Sequence, residues 1–318
     1  MVLILVFFLM SRLVATLAVL LTVVSLVFGL IHLSGDPLAG LVPPGASPAQ
    51  QDSIRRQFGL DQPLLSQYGL FLRRAAQGDF GDSWRARRPA MEAVLTRLPA
   101  TLALTGAALG FALLLGVPLG IVAGVRPRGW IDFLVGLVVF GGQAMPGFWL
   151  GTVLIVVFAI KLDWLPASGL DGPGSLVLPA MALAAFPLAI VVRLLRTSLI
   201  ETMRLDYVRT ARAKGLNETS VVVGHALRNA ALPALAYAGV QAGFLLGGAV
   251  VVEAVFAYPG MGRLVLQAVE DRDLPVVQAF VVLLALLIVA INLMVDVLAR
   301  WLDPRMRFGA GAPSGGSA

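Results

Sequence analysis

Apolar and polar residues follow one another along this chain in blocks rather than with a short period. Six apolar blocks stand out, at residues 13–33, 101–125, 133–160, 176–195, 232–255 and 276–298. Each is close to the roughly 20 residues that a helix needs to cross the hydrocarbon core of a bilayer. The third carries Gly141-Gly142 and Pro146-Gly147, which predict a kink or break. The fourth is the shortest and contains Pro179 and Pro187. The expected fold class is an all-α polytopic membrane protein with six transmembrane helices. Between the blocks lie a segment at 34–97, a polar insertion at 196–231 and a hairpin at 256–275. The first is punctuated by LVPPGASP and then runs into a helix-like QQDSIRRQFGL; at this length it is a small cap rather than a loop. The terminal GAGAPSGGSA has the composition of a flexible tail, and no internal repeat is visible.

Composition agrees with this pattern. The 318 residues are 58% hydrophobic and 13% charged, with a mean hydropathy of +0.87, whereas soluble domains carry about 25% charged residues. The opening MVLILVFFLM is followed by Ser11-Arg12. A secretory signal has its positive charge before the apolar run and a small-residue cleavage site after it, so block 13–33 reads as a retained span. The first few residues, MVLIL, have the look of an extension.

The net charge of +6 changes meaning once the charges are placed. With the N-terminus inside, 13 of the 24 Lys and Arg fall on the cytoplasmic side, including seven from Arg193 to Arg228. The short outer loops hold three, Lys161, Arg263 and Arg272, and the other eight lie in the long segment 34–97. Short-loop Lys and Arg set orientation, so both termini are expected in the cytoplasm and the basic balance reflects topology, not nucleic acid. There is no cysteine, and His32 and His225 stand apart from any carboxylate cluster, so no metal site is expected.

The insertion needs an explanation of its own. Asp206 is a candidate N-cap and Gly215 a candidate left-handed stop, which predicts a helix of about nine residues between them. A helix so short is marginal in water unless something holds it. Asn217 can cap a second helix through SVVVGHALRN towards Pro233. There His225, Arg228 and Asn229 share one face, while Val222, Val223, Ala226 and Leu227 form an apolar side. A solvated positive loop would satisfy the charges equally well. A lipid-binding helix, however, would carry larger apolar anchors, and the small Thr210, Ala211 and Ala213 suit close docking into a protein groove. The sequon Asn217-Glu218-Thr219 faces the cytoplasm in this topology and is a chance match.

These residues, YVRTARAKGL…HALRNAALP, resemble the cytoplasmic coupling loop of binding-protein-dependent ABC importer permeases. The wider likeness is to the first-subunit branch of the dipeptide/oligopeptide/nickel permease family. It is carried in order by SGDPLAG, FGLDQPLLSQY, GDFGDS, RRPAMEAVLTRLPATLAL, LPASG, VFAYPGMGRL, RDLPVVQA and NLMVDVLARWLDPRMR, and so covers nearly the whole chain. The general loop pattern begins Glu-Ala-Ala, where this chain has Arg209-Thr210-Ala211. Gly215 also stands further from Pro233 than that pattern allows. Both departures are usual in the peptide branch.

The resemblance implies a type I ABC importer transmembrane fold. It implies an N-terminal segment and first helix at 1–33, an extracytoplasmic segment at 34–97, a permease core at 98–300 with the coupling loop at 200–231, and a cytoplasmic tail at 301–318. It further implies a non-catalytic subunit in a bacterial cytoplasmic (inner) membrane, forming half of an ATP-driven import pathway. The solutes implied are di- or oligopeptides or glutathione, with nickel complexes or another small solute as the alternative. Implied partners are a homologous second permease subunit, two ATPase subunits holding ATP and Mg, an extracytoplasmic substrate-binding protein, and membrane lipid. The ATPase contact falls on Tyr207, Val208, Arg209, Thr210, Ala211, Arg212, Ala213, Lys214, Gly215 and Leu216. Binding-protein docking or the pathway mouth falls on Pro259, Gly260, Gly262, Arg263, Arg272 and Asp273, where Pro259-Gly260 suits the centre of a type II turn. An internally salt-bridged hairpin would use these residues equally well.

No cofactor is expected on the chain itself. A P-loop needs Gly-Lys before Ser or Thr, and both lysines, Lys161 and Lys214, lack that context. A secondary transporter would be expected to show midplane carboxylates or paired broken helices, whereas Glu253, Asn292 and Asp296 fall towards span ends. A membrane-embedded hydrolase would need a histidine constellation that the chain lacks. A bare membrane scaffold has no need of a coupling loop. Glycines four apart (Gly106/Gly110, Gly116/Gly120/Gly124, Gly243/Gly247) predict close helix approach, favoured within the subunit over the subunit interface.

Overall fold

The computed structural model describes residues 2–33, 47–57, 61–170, 172 and 174–302. The readings made for SGDPLAG, Arg305, Arg307 and the terminal tail lie outside the described residues, as do the side chains of Arg12, His32, Asp296 and Arg300. Among the described residues the regular elements are helices, and the one β-bridge is an isolated pair, Asp82 with Pro89. In chain order they are α1 (Val2–Leu33), α2 (Pro48–Gln57), α3 (Leu64–Ala76), α4 (Ala90–Leu95), α5 (Leu98–Val125), α6 (Trp130–Ala144) and α7 (Gly147–Leu154). There follow α8 (Val177–Thr202), α9 (Asp206–Ala213), α10 (Glu218–Ser220), α11 (Leu227–Ala230), α12 (Leu232–Val255), α13 (Met261–Glu270) and α14 (Leu274–Leu302).

Four stretches are long and apolar enough to cross a membrane: Ala90–Val125, Val177–Thr202, Leu232–Val255 and Leu274–Val295. The third expected span is broken, as its glycines and proline predict. Helix α6 ends at Ala144, Met145 is extended (ψ 134°) because Pro146 disfavours a helical residue before it, and α7 restarts at Gly147. Its last part, Ile155–Lys161, widens into a π turn. Counted as one span, the broken pair brings the number among the described residues to five, and α1 adds a shorter apolar stretch, Val14–Gly29, a count roughly consistent with the six expected spans.

The shortest expected span turns out to be one of the long helices. Helix α8 continues seven residues past 195, and Arg193 and Arg196, counted above with the cytoplasmic charges, belong to it. Both are accommodated in place. The Arg196 Nε and Nη2 donate to Asp132 at 2.6 and 2.8 Å, and the Arg193 guanidinium lies 4.9 Å from the Phe140 ring centroid.

The chain divides into two compact units. The first comprises Met1–Ala107, Gly147–Leu183 and Leu246–Leu287. Its core is built on the buried side chains of Leu104, Leu178, Leu246, Phe256, Tyr258 and Met261. Gly151 of α7 lets Phe256 approach to where an added Cβ would be 3.0 Å from its ring. Helix α3 packs on α1 through Phe28, whose ring lies 5.3 Å from Tyr68 and 5.6 Å from Phe71, and through a 2.6 Å hydrogen bond between Ser25 and Tyr68.

The second unit comprises Ala108–Pro146, Ala184–Leu245 and Ile288–Ala318. Here one glycine stripe has a partner. Added Cβ atoms at Gly116, Gly120 and Gly124 would stand 2.9, 3.0 and 3.1 Å from Val191, Leu195 and Leu199. So α5 lies against α8 of the same chain without room for a methyl group. Gly106, Gly110 and Gly247, by contrast, face open space on the chain.

Candidate functional site

Helix α9 is eight residues long, about 12 Å, and has no stability of its own at that length. Two side chains hold it. Val208 and Ala211, three apart, are buried in a cluster with Val191, Leu195 and Leu199 of α8 and Val221, Val222, Ala226 and Ala230 beyond the turn. Val117, Ile121 and Val125 of α5 pack against the same cluster. Burying a valine removes about 1.5–3 kcal/mol worth of apolar surface from water, enough to anchor two helical turns. The other eight residues from Tyr207 to Leu216 are exposed.

The start of α9 differs from the expectation. Leu205, extended at ψ 148°, is the capping position and makes no side-chain cap, and Asp206 is the first helical residue. An acidic residue in the first turn still complements the helix dipole there. The stop is as expected. Gly215 has φ +81°, and its N–H donates to the Arg212 carbonyl at 2.9 Å. After it, the Asn217 side chain accepts from the Ser220 N–H at 2.8 Å and so caps α10. The Arg212 Nε donates to Glu218 at 2.7 Å across the turn, and that pairing holds the Glu218 carboxyl below its usual range. The Asn229 Nδ2 donates to the Tyr207 hydroxyl at 2.9 Å, a second tie between α9 and the following helix.

A π turn at Val221–Ala226 changes the face read from a 3.6-residue period. Val221, Val222, Ala226 and Ala230 are buried, and Val223 is 57% exposed, contrary to the expected Val222-Val223 apolar side. His225, Arg228 and Asn229 share the exposed face as expected.

In the first unit the hairpin after α12 is organised by Glu253, which is fully buried. Its carboxylate accepts from the Thr101 hydroxyl at 2.6 Å and from the Arg263 N–H at 3.0 Å. The Thr101 hydroxyl oxygen in turn accepts from the Met261 N–H at 2.9 Å. The carboxyl group thus sits at the first turn of α13, where a free amide reaches it. Gly260 has φ −88°, so Pro259-Gly260 is not the expected type II turn, which requires positive φ there. The glycine is demanded by space: an added Cβ would lie 2.2 Å from the Glu253 carboxyl carbon, and one at Gly262 would lie 2.6 Å from Val250 Cα. Asp273 is buried and accepts from the Ser83 hydroxyl at 2.5 Å, while Asp271 pairs with Arg85. Tyr258 donates to the Ala100 carbonyl at 3.1 Å, and its hydroxyl is pushed above its usual pKa by burial and by the nearby Glu253.

Against this geometry, comparison with known proteins decides the family. The model of the binding-protein-dependent transport system inner membrane component matches residues 116–308. The model of that family's N-terminal membrane component matches residues 5–105. The chain belongs to the binding-protein-dependent ABC importer permeases. It is 42% identical over 302 residues to the glutathione transport system permease protein GsiC of Escherichia coli K12, covering 95% of this chain and 99% of that protein. GsiC of Shigella flexneri serotype 5b gives the same identity and coverage. Among solved structures, the inward-facing MetNI methionine ABC transporter matches with a TM-score of 0.57 at 23% identity, over 67% of this chain and 97% of that one. An amino acid ABC transporter solved with histidines matches with a TM-score of 0.52 at 16% identity. Both are likenesses of fold.

The permease is thus a multi-pass inner-membrane protein; of its ten loop residues, Tyr207–Ala213 lie in α9 and Lys214, Gly215 and Leu216 in the turn after it, with Val208 and Ala211 buried as anchors. The six hairpin residues are more scattered in character. Gly260, Gly262 and Asp273 are buried, Pro259 and Arg263 are half-buried, and Arg272 is exposed with φ +56°. The Arg263 Nη1 donates to the Ala257 carbonyl at 2.5 Å, and the Pro259 carbonyl accepts from Arg97 at 3.3 Å. Sequence reasoning missed Thr101 and Ser83, and treated Glu253 only as a residue near a span end. The available signal was a glutamate inside an apolar block followed by two glycines within nine residues.

Proposed function

We propose that this permease imports small peptides, of the di- or oligopeptide or glutathione type, from an extracytoplasmic binding protein at the expense of ATP hydrolysed by separate subunits. The observation that carries this reading is the build of α9. Val208 and Ala211 seat it on a cluster shared with α5 and α8, and its remaining residues are exposed. Two ATPase subunits that close on ATP would each carry one such helix in a groove, one on this chain and one on a homologous sister permease. Tyr207, Arg209, Thr210, Arg212, Ala213, Lys214 and Leu216 are the groove contacts, and Gly215 sets the angle to α10. The chain itself binds neither ATP nor Mg. Because α5 meets α8 without a gap, tilting α9 moves both helices as one body, exchanging an inward cavity for an outward one. Both termini face the cytoplasm in this arrangement. Arg272, exposed beside the hairpin, is the docking contact for the binding protein, while Gly260, Gly262, Arg263 and Asp273 shape the hairpin that presents it.

The test is uptake by proteoliposomes holding this chain, its sister permease and the ATPase pair. Glutathione and trialanine enter only with binding protein outside and hydrolysable ATP inside. Uptake driven by an ion gradient without ATP would make the chain part of a secondary transporter instead.

A further inference from the structure

Val208 and Ala211 of α9 share their buried cluster with Val191, Leu195 and Leu199 of α8, and Arg196 lies among those three on the same helix. Its main chain and its side chain meet different neighbours. An added Cβ at Gly124 of α5 would stand 3.2 Å from the Arg196 carbonyl oxygen. The guanidinium reaches the other way, to α6, where Nε and Nη2 donate to the two carboxylate oxygens of Asp132. A two-pronged pair of this kind fixes orientation as well as distance. It is also partly shielded from solvent, with the side chains 32% and 12% exposed.

Asp132 is held from a third side. Its Oδ2 accepts the Arg128 N–H at 2.8 Å, and Arg128 stands at φ +65° in the turn from α5 to α6. A residue other than glycine is uncommon in that conformation, and the bond to Asp132 secures it there. One carboxylate therefore joins the α5–α6 turn, the first turn of α6 and the stretch of α8 that seats α9.

The other contacts between α6 and α8 are of a softer kind. Val139 packs with Ala189 and Val192, and the Arg193 guanidinium lies over Phe140. Apolar packing is non-directional, so such surfaces can slide past one another. The ion pair cannot shift without losing both hydrogen bonds. At its far end α6 stops at the break before Pro146, so no continuous helix steers it from there. Among the described residues Arg196–Asp132 is the one ion pair that joins α6 to α8.

We propose that Arg196 and Asp132 are a positioning pair that conveys the displacement of α9 through α8 to α6, so that the broken span moves with the coupling helix. This rests on the ATP-driven import reading above and adds to it the residues that carry the motion. The pair touches neither solute nor ATP.

The quantity to read is trialanine taken up per ATP hydrolysed, in proteoliposomes holding this chain, its sister permease and the ATPase pair, with binding protein outside. Arg196→Gln leaves the Asp132 bond to Arg128 in place, and Asp132→Asn keeps an oxygen for it. Each variant should lower the ratio about tenfold, with ATP hydrolysis and melting midpoint close to the parent. The chain has no native cysteine, so Asp132→Cys with Arg196→Cys can be bridged selectively when the partner subunits are cysteine-free. That double variant should show the same loss. A propane-bridged bis-methanethiosulfonate joining the two thiols should reverse most of it, and dithiothreitol should bring the loss back.

The inference is overturned if either single variant keeps the parent ratio within about twofold. It is overturned as well if uptake and hydrolysis fall together with the melting midpoint, which marks an ion pair that only stabilises the fold. Thiols that the reagent cannot bridge, or a bridged pair whose ratio stays low, count against it equally. If the parent complex itself shows no ATP-driven uptake, the import reading falls and this one with it; failure confined to the variants leaves that reading standing.

Discussion

At Gly260 the Cβ of any other residue would stand 2.2 Å from a carboxylate that is already committed to a hydroxyl and to the first turn of α13. Neither Glu253 nor the backbone can yield cheaply, because displacing a buried carboxylate leaves it without its donors. Gly260→Ala should therefore destabilise the hairpin by about 3 kcal/mol, at the upper end of overpacking costs. Gly247→Ala meets nothing within 4 Å and should leave stability unchanged or slightly raised. The readout is the melting midpoint of the detergent-purified permease complex, and equal midpoints for the two variants would refute the steric account. The same comparison shows what sequence can supply at this scale. Both glycines look alike in the string, and only the path of the chain back towards Glu253 separates them.

At the scale of elements, helix α9 was legible because its signals are local. A left-handed glycine, an asparagine cap and a charged run between apolar blocks are readable without knowing the neighbours. Its buried face was less so. The π turn at Val221–Ala226 adds a residue to the helical repeat, which exchanges Val223 for Val221 in the core, and nothing in the periodicity marks where a helix widens. The anchoring by Val208 gives a graded test. Val208→Ala removes two buried carbons, about 1.5–2 kcal/mol, from an eight-residue helix that has little else to hold it. Substrate-stimulated ATP hydrolysis should fall several-fold while the complex stays assembled. Gly215→Leu should fall further, since φ +81° costs a branched side chain about 1–2 kcal/mol and shifts the angle between α9 and α10. Unchanged stimulation in both variants would separate this helix from the ATPase and sink its proposed role.

Across the whole molecule, the proposed orientation rests on the placement of charge. Assigning Arg193 and Arg196 to α8 removes two of the 13 basic residues counted on one side, and the proposed direction then rests on 11 against three. The two sides are distinguishable by a direct measurement, because a chain without cysteine reports one introduced thiol at a time. Ala213 ends α9 and Gln50 lies in α2; both are exposed, so a cysteine at either should leave folding intact. In right-side-out cells, Ala213→Cys should resist a membrane-impermeant maleimide until the membrane is permeabilised, and Gln50→Cys should react at once. The opposite pattern would place α9 where no ATPase can reach it. That outcome would overturn the coupling role and the termini's location together, since α9 and both termini are separated by even numbers of crossings in this arrangement.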